Sequence, residues 1–118
     1  MRNKIMTGAL ALALGTLGVV GTAGAANADA CPSTKLCAYA QTNYNGTPGQ
    51  VQYNNDNLLQ YYSFANAASV SNSGTQCSVT IYSGTGGTGS SVVIPRGYGI
   101  GDLSGTAFYH SVASDYWC

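Results

Sequence analysis

The sequence predicts an all-β domain stapled by disulfides, and three observations lead to this fold class. Residues 77–82 alternate between two classes of side chain, with Val79 and Ile81 on one face, which is typical of a half-buried strand. Short β-rich segments recur along the chain, separated by turn-forming pairs that contain glycine. Four cysteines follow residue 30, and an even number in a small exported domain predicts a disulfide framework.

The first 28 residues are typical of a secretory signal peptide. Arg2 and Lys4 precede an apolar run over residues 5–20, and Ala26-Asn27-Ala28 matches a small-x-small cleavage pattern. A membrane anchor is the alternative, but glycines interrupt the run and no further apolar segment follows it. The sequence therefore predicts a secreted, extracellular protein with no membrane span and a single domain over residues 29–118.

The predicted strands follow the apolar and β-branched residues in order. Besides residues 77–82, the β-rich segments are residues 36–39, 51–53, 69–71, 92–94, 111–113 and 116–117. Asn45-Gly46, Pro48-Gly49 and Gly86-Gly87 are among the turn signals between them. Residues 57–68 have weak helical spacing, with an irregular loop as the alternative.

The charged residues indicate a binding or structural role. Beyond residue 28 the chain has two bases against four aspartates, namely Lys35 and Arg96 against Asp29, Asp56, Asp102 and Asp115. This balance argues against nucleic-acid binding, which takes several basic side chains on one face. A catalytic centre could be built only around His110, and no Gly-x-Ser-x-Gly motif accompanies it. We expect neither an enzyme nor a catalytic residue.

Three pairings of the four cysteines are possible. The close spacing of Cys31 and Cys37 favours a small N-terminal loop, which leaves Cys77 to bond Cys118. In the chain-entropy model the short loop contributes about 2 kcal/mol and the long loop about 4 kcal/mol. A zinc site is the alternative use of these side chains, but it would break both bridges. We therefore expect two disulfides, no metal and no cofactor.

The two halves of the chain contain an internal repeat. When Tyr39 is placed on Tyr82, Gly46 falls on Gly89, and an apolar strand follows each glycine. A tyrosine at the end of a strand can fold over the next hairpin, and a glycine there permits a positive φ. The repeat therefore predicts two tandem motifs of similar structure.

These residues resemble the βγ-crystallin Greek-key superfamily, through residues 39–46 and 82–89 in tandem. Cys31-Pro32, Leu36-Cys37-Ala38-Tyr39 and Asn43-Tyr44-Asn45-Gly46 are similar to the start of peptidase inhibitor family I36, the Streptomyces metalloproteinase inhibitor-like proteins. The resemblance implies a Greek-key sandwich of eight short strands, with motifs at about residues 31–74 and 75–118. It also implies an actinobacterial source and, for some members, inhibition of thermolysin-like zinc proteases.

The chain departs from its relatives in two places. The stretches that match the superfamily's calcium sites retain Asn66, Ser69 and Ser114 but no carboxylate, so we expect no calcium site. Inhibitory members present a short disulfide-braced loop in the second half, whereas Cys77 has no cysteine nearby. If Cys77 pairs with Cys118, the bridge staples the C-terminal strand.

The resemblance makes an extracellular metalloproteinase the first expected partner, with inhibition as the consequence of binding. An inhibitor of this kind presents an apolar residue from a loop rigid enough to resist cleavage. The candidate contact residues are Leu58, Leu59, Ser78 and Val79. Core packing is the alternative role of the two leucines and of Val79, whose alternation with Ile81 turns it inward.

A non-catalytic cell-surface or glycan-binding protein is the second functional expectation, and a killer-toxin-like antimicrobial is the third. Exposed tyrosines stack on the apolar faces of sugars, and neighbouring amides bond their hydroxyls. The tyrosines available for this role in a cell-wall glycan site are Tyr44, Tyr53, Tyr61, Tyr62, Tyr98 and Tyr109. In each case we expect a monomer.

Overall fold

The structure is a computed structural model that describes residues 30–118, so the predicted signal peptide lies outside the described residues. Its elements are β1 (Leu36–Tyr39), a 3₁₀ helix (Thr42–Tyr44), β2 (Gly49–Val51), α1 (Tyr62–Ala65), β3 (Ser69–Asn72), β4 (Val79–Gly84), β5 (Thr88–Ile94), β6 (Gly99–Ile100) and β7 (Ser114–Trp117). None of the described helices is long and apolar enough to cross a membrane.

Two antiparallel sheets form a Greek-key sandwich. One sheet has the order β2-β1-β3-β6 and the other has the order β5-β4-β7. The two halves of the chain each contribute one segment to the sheet of the other half. From the second half, β6 pairs with β3 in the first sheet. From the first half, Asn55 forms a bridge with Asp115 of β7 in the second sheet. The bridge at Asn55 takes the place of the eighth strand that the family resemblance implies. The predicted fold class is confirmed.

The core lies between the two sheets and includes side chains from the connections between strands. Val79 and Ile81 of β4 are fully buried, as the alternation of residues 77–82 predicts. They pack in one cluster with the buried faces of β1 and β3 and with side chains from the connections, namely Leu36, Ala38, Leu58, Phe64, Ala67, Val70, Ile94, Leu103, Phe108 and Val112. The disulfides Cys31–Cys37 and Cys77–Cys118 form as the spacing of the cysteines favours.

The repeat in the sequence corresponds to a repeat in backbone geometry. Gly46 and Gly89 have φ values of +85° and +79°, the conformation that the repeat requires of both positions. Ser69 Oγ donates to the carbonyl of Gln41 at 2.7 Å and accepts from the N–H of Tyr44 at 3.1 Å. Its counterpart Ser114 makes the same pair of bonds to the β4–β5 hairpin, at 2.7 and 3.0 Å.

Several strand boundaries predicted from the sequence are wrong. β4 spans Val79–Gly84 rather than residues 77–82, and β5 begins at Thr88 rather than at residue 92. Two further strands are misplaced. The strand placed at residues 51–53 ends at Val51, because Tyr53 has a φ of +66° that no strand accommodates. The strand placed at residues 111–113 begins instead at Ser114. The N–H of Val112 and the carbonyl of Ala113 bond to residues of the β2–β3 connection. Residues 112 and 113 therefore hold that connection in place instead of forming a strand.

Candidate functional site

The candidate site is the segment that connects β2 to α1 and crosses from the first sheet to the second. We call residues 52–62 the crossing segment. Asn55 exchanges two backbone hydrogen bonds of 3.0 Å with Asp115 of β7, and Leu58 N–H donates to the carbonyl of Ala113 at 2.7 Å. Because these bonds lie in the middle of the segment, its backbone is held like a strand although it belongs to neither sheet.

Backbone and side-chain groups at the end of β7 attach the first half of the crossing segment. The backbone N–H of Trp117 donates to Asn54 Oδ1 at 2.8 Å, and Trp117 Nε1 donates to the carbonyl of Tyr53 at 2.9 Å. The hydroxyl of Tyr116 donates to Asp56 Oδ1, and this bond to a carboxylate raises the pKa of Tyr116. Four consecutive residues of the segment, 53–56, are thus bonded to a single strand.

Asp115 is a buried carboxyl group beneath the crossing segment. Its Oδ1 accepts a bond of 3.0 Å from Asn55 Nδ2, but its Oδ2 is buried without a hydrogen-bond partner among the described residues. Burial raises the pKa of Asp115 to about 6, and the bond from Asn55 opposes that rise. The group therefore titrates in a pH range where an ordinary aspartate is fully ionised.

The second half of the crossing segment presents Leu59 to solvent. Leu58 is fully buried and anchors the segment in the core, whereas the side chain of Leu59 is 41% exposed. Leu59 N–H donates to Asn57 Oδ1 at 3.1 Å, and Tyr61 N–H donates to the carbonyl of Leu58 at 3.0 Å. The exposed side chain of Leu59 therefore lies on a short turn that hydrogen bonds hold on both sides.

The structure separates the four candidate contact residues by burial. Leu58 and Val79 are fully buried, which is the core role that the sequence offered as their alternative, so neither side chain reaches a partner's surface. Ser78 is half-buried and precedes β4 beside Cys77. Leu59 is the one apolar side chain of the four that solvent reaches.

An open groove lies between the start of the crossing segment and the end of β7. Its volume is about 630 Å³, and its wall includes the disulfide Cys77–Cys118. Residues from distant parts of the chain line it, including Gln52, Tyr53, Asn54, Gln76 and Trp117. The sequence offers Tyr53 among its candidate exposed tyrosines, but no local pattern indicates the groove.

His110 has no catalytic partner in the described part of the chain. Its ring stacks on that of Tyr109 with 3.9 Å between the centroids, and no hydrogen bond joins it to Asp102 or Asp115. Asp102 instead accepts two bonds from Ser104, which lower the pKa of Asp102. Residues 30–118 also contain no cluster of three His, Cys, Asp or Glu side chains that could hold a metal.

Comparison with protein families identifies peptidase inhibitor family I36. The model of peptidase inhibitor family I36 matches residues 24–94, which is more than half of the chain. The matched range contains the crossing segment and ends before β6 and β7. Comparison with curated protein sequences gives no significant match.

Solved structures similar to this one are βγ-crystallin domains. A structure described as "Evolution of the eye lens beta-gamma-crystallin domain fold" has a TM-score of 0.64 and 16% identity, over 86% of this chain and 93% of its own. Spherulin 3a from Physarum polycephalum has a TM-score of 0.58 and 17% identity, over 86% and 90%. A βγ-crystallin domain from Clostridium beijerinckii has a TM-score of 0.55 and 16% identity, over 70% and 95%. Identities this low establish the fold alone.

Proposed function

We infer the function from one premise: the chain belongs to peptidase inhibitor family I36. We propose that it is a secreted, monomeric protein that binds an extracellular metalloproteinase and inhibits it through the crossing segment. The observation that carries this proposal is the presentation of Leu59, an exposed apolar side chain on an immobilised turn within the range that the family model matches.

The geometry of the crossing segment suits an inhibitor. A segment that is already ordered loses little conformational entropy on binding, so more of the contact energy appears as affinity. The anchors at Asn55 and Leu58 also hold the backbone after docking, which disfavours the change of shape that cleavage requires. Leu59 is the side chain we assign to the protease's apolar pocket, with Ser78 as a secondary candidate outside this segment.

The disulfide Cys77–Cys118 supports the same proposal by a route that the sequence did not indicate. This bridge braces no short loop, but it ties Cys118, which follows β7, to Cys77, two residues before the start of β4. Because β7 holds residues 53–55 of the crossing segment, a bridge that restrains β7 also restrains the segment. Two disulfides further support export to an oxidising compartment.

Titration of a thermolysin-like zinc protease with the purified, oxidised protein tests the proposal. We expect stoichiometric loss of peptidase activity and a 1:1 complex in which the inhibitor chain remains uncleaved. Leu59→Asp should weaken inhibition about a hundredfold. The variant would place a carboxylate in the apolar pocket of the protease, where burial of an unpaired charge is unfavourable.

Val93→Asp is the matched control for this titration. Val93 is an exposed apolar residue on β5, 58% accessible, and it lies outside the crossing segment. Equal inhibition by the wild-type and Val93→Asp proteins, with loss in Leu59→Asp, is the expected pattern. Equal inhibition by all three proteins would refute the role of Leu59, and absence of inhibition in several metalloproteinases would refute the function.

A further inference from the structure

We propose that the groove between the crossing segment and the end of β7 is a binding site for an uncharged, β-linked oligosaccharide. The site is separate from Leu59, which does not line the groove, so it does not depend on the proposed inhibition. Three features carry the proposal: the polar lining without charged side chains, the two aromatic side chains and the strained backbone at Tyr53.

The size and chemistry of the groove suit a small polar ligand. Its volume of about 630 Å³ lies within the range of ligand sites in proteins. None of its side chains is a Lys, Arg, Asp or Glu, and amides and hydroxyls supply the polar surface. A lining of this kind bonds the hydroxyls and ether oxygens of an uncharged ligand.

Two of the lining amides are held in a defined orientation. Lys35 Nζ bonds Gln52 at 3.0 Å, and the N–H of Trp117 bonds Asn54 at 2.8 Å. Ammonium and backbone N–H groups only donate, so each of these bonds must use the amide oxygen and leave the NH₂ group unbonded within residues 30–118. Gln52 and Asn54 therefore offer N–H donors to the ligand.

Further polar groups of the groove make no hydrogen bond within the described part of the chain. They are the side-chain amide of Gln76 and the hydroxyls of Thr34 and Thr75, which can both donate and accept. Arg96, the other base near the groove, donates to the carbonyl of Thr75 at 3.0 Å and so steadies that part of the wall. Sugar hydroxyls also donate and accept, and they match this set.

Two aromatic residues supply the apolar surface of the groove. Trp117 packs against Gly74, where a Cβ atom would lie 2.6 Å from Trp117 Cζ3, so the absence of a side chain lets the indole ring lie close to the wall. Tyr53, which also lines the groove, is 75% exposed. The C–H faces of β-linked pyranose rings are flat and apolar, and they stack on aromatic rings of this kind.

The backbone at Tyr53, whose ring is exposed, is held in an unusual conformation. Its φ of +66° is unfavourable for any residue with a Cβ atom. The carbonyl of Tyr53 accepts bonds of 2.9 Å from Trp117 Nε1 and 2.9 Å from Asn55 Nδ2, and these bonds maintain the conformation. Strained residues of this kind are concentrated at ligand sites.

Tryptophan fluorescence gives a direct test, because Trp117 is the only tryptophan in the sequence. Titration of the purified protein with chitotetraose and with cellotetraose should change the emission of Trp117 saturably for at least one of them. Tyr53→Ala and Gln76→Ala should each weaken that binding about tenfold, through loss of stacking in one case and of hydrogen bonds in the other. Gln76 makes no intramolecular side-chain bond among the described residues, so its variant keeps the fold.

Tyr98→Ala is the matched control, because Tyr98 is 66% exposed and does not line the groove. It should bind the tetrasaccharide as the wild-type protein does, and so should Leu59→Asp, which separates this site from the proposed protease contact. No saturable change with either tetrasaccharide would overturn the proposal. Unchanged affinity in both Tyr53→Ala and Gln76→Ala would overturn it as well.

Discussion

Tyr53 places an exposed ring on a backbone conformation that favours glycine. Its φ is +66°. Because its side chain is 75% exposed, packing of the ring contributes little to the stability of the folded state. A residue with a Cβ atom loses about 1 kcal/mol or more in this conformation relative to glycine. We therefore expect Tyr53→Gly to be more stable than Tyr53→Ala by about 1 kcal/mol in urea denaturation.

The same pair of substitutions at Tyr98 provides the comparison. Tyr98 is similarly exposed but does not have a positive φ. There the order should reverse, with alanine as stable as glycine or more stable, because glycine has the greater entropy in the unfolded chain. If Gly and Ala rank alike at both positions, the left-handed conformation of Tyr53 is contradicted.

Asp115 makes the stability of the fold depend on pH. Its pKa is about 6 in the folded protein against a usual value of 3.8, so the folded state holds the proton more tightly. The contribution of this group to the free energy of unfolding is therefore most favourable below about pH 4. It is lost as the pH rises through 6, by roughly 2 to 3 kcal/mol.

Asp115→Asn should remove most of that dependence. An asparagine keeps an oxygen for the bond from Asn55 but does not ionise. Urea denaturation at about pH 4 and about pH 7 should show the wild-type protein losing stability as the pH rises, with the variant nearly flat and more stable at the higher pH. A wild-type protein that gains stability over this interval, with the variant following it, would show that Asp115 is ionised when folded.

At the scale of elements, one serine in each half fastens a hairpin to the strand that pairs with it. Ser69 and Ser114 are fully buried, and each hydroxyl both donates to and accepts from backbone groups of the hairpin in its own half. Alanine at either position removes two hydrogen bonds, one to a backbone carbonyl and one from a backbone N–H of the hairpin. Both Ser69→Ala and Ser114→Ala should lower the free energy of unfolding by about 2 kcal/mol.

Thermal denaturation of the two serine variants checks this equivalence. Ser104→Ala is a suitable control, because its hydroxyl is exposed and bonds only Asp102. A large loss of stability in one of these two variants and none in the other would mean that the serine bonds do not have the same role in the two halves.

The strand β7 connects the disulfide, the groove and the crossing segment. The bridge Cys77–Cys118 closes a longer loop than Cys31–Cys37, with separations of 41 and 6 residues. Replacing each pair by alanine should cost about 4 and about 2 kcal/mol respectively. The loss of Cys77–Cys118 should also speed amide exchange at Asn55 and Leu58, whose N–H groups bond residues of β7 and its approach.

Loss of Cys31–Cys37 is the control for that exchange experiment. This bridge lies at the start of the first sheet and touches no anchor of the crossing segment. Equal acceleration at Asn55 and Leu58 in both variants would indicate general loosening of the fold, and the restraint of the segment by β7 would then be wrong.

At the scale of the whole molecule, the sequence predicts correctly those features that depend on residues close together in the chain. The strand at Leu36–Tyr39, the inward residues of β4 and the positive φ of Gly46 and Gly89 all follow from alternation, repeat and turn chemistry. The disulfide pairing followed from spacing. The start of β7 at Ser114 did not, because residues 112 and 113 bond Phe64 and Leu58, which lie 48 and 55 positions earlier in the chain.

The candidate sites depend on contacts that no local pattern contains. Burial separates Leu58 from its neighbour Leu59, although both are leucines in the same polar stretch, and only the course of the crossing segment decides which one faces inward. The groove joins residues near positions 34, 52–54, 74–77 and 117–118. The buried carboxyl of Asp115 also lies on a strand face that sequence rules would assign to an apolar residue.

The central claim is that the crossing segment is the surface that meets a metalloproteinase. Hydrogen–deuterium exchange of the chain, alone and with an equimolar thermolysin-like protease, tests it most directly. The account predicts an intact chain and new protection concentrated at residues 57–62, around Leu59. Protection confined to other surfaces, an unchanged pattern, or cleavage of the segment by the protease would contradict it.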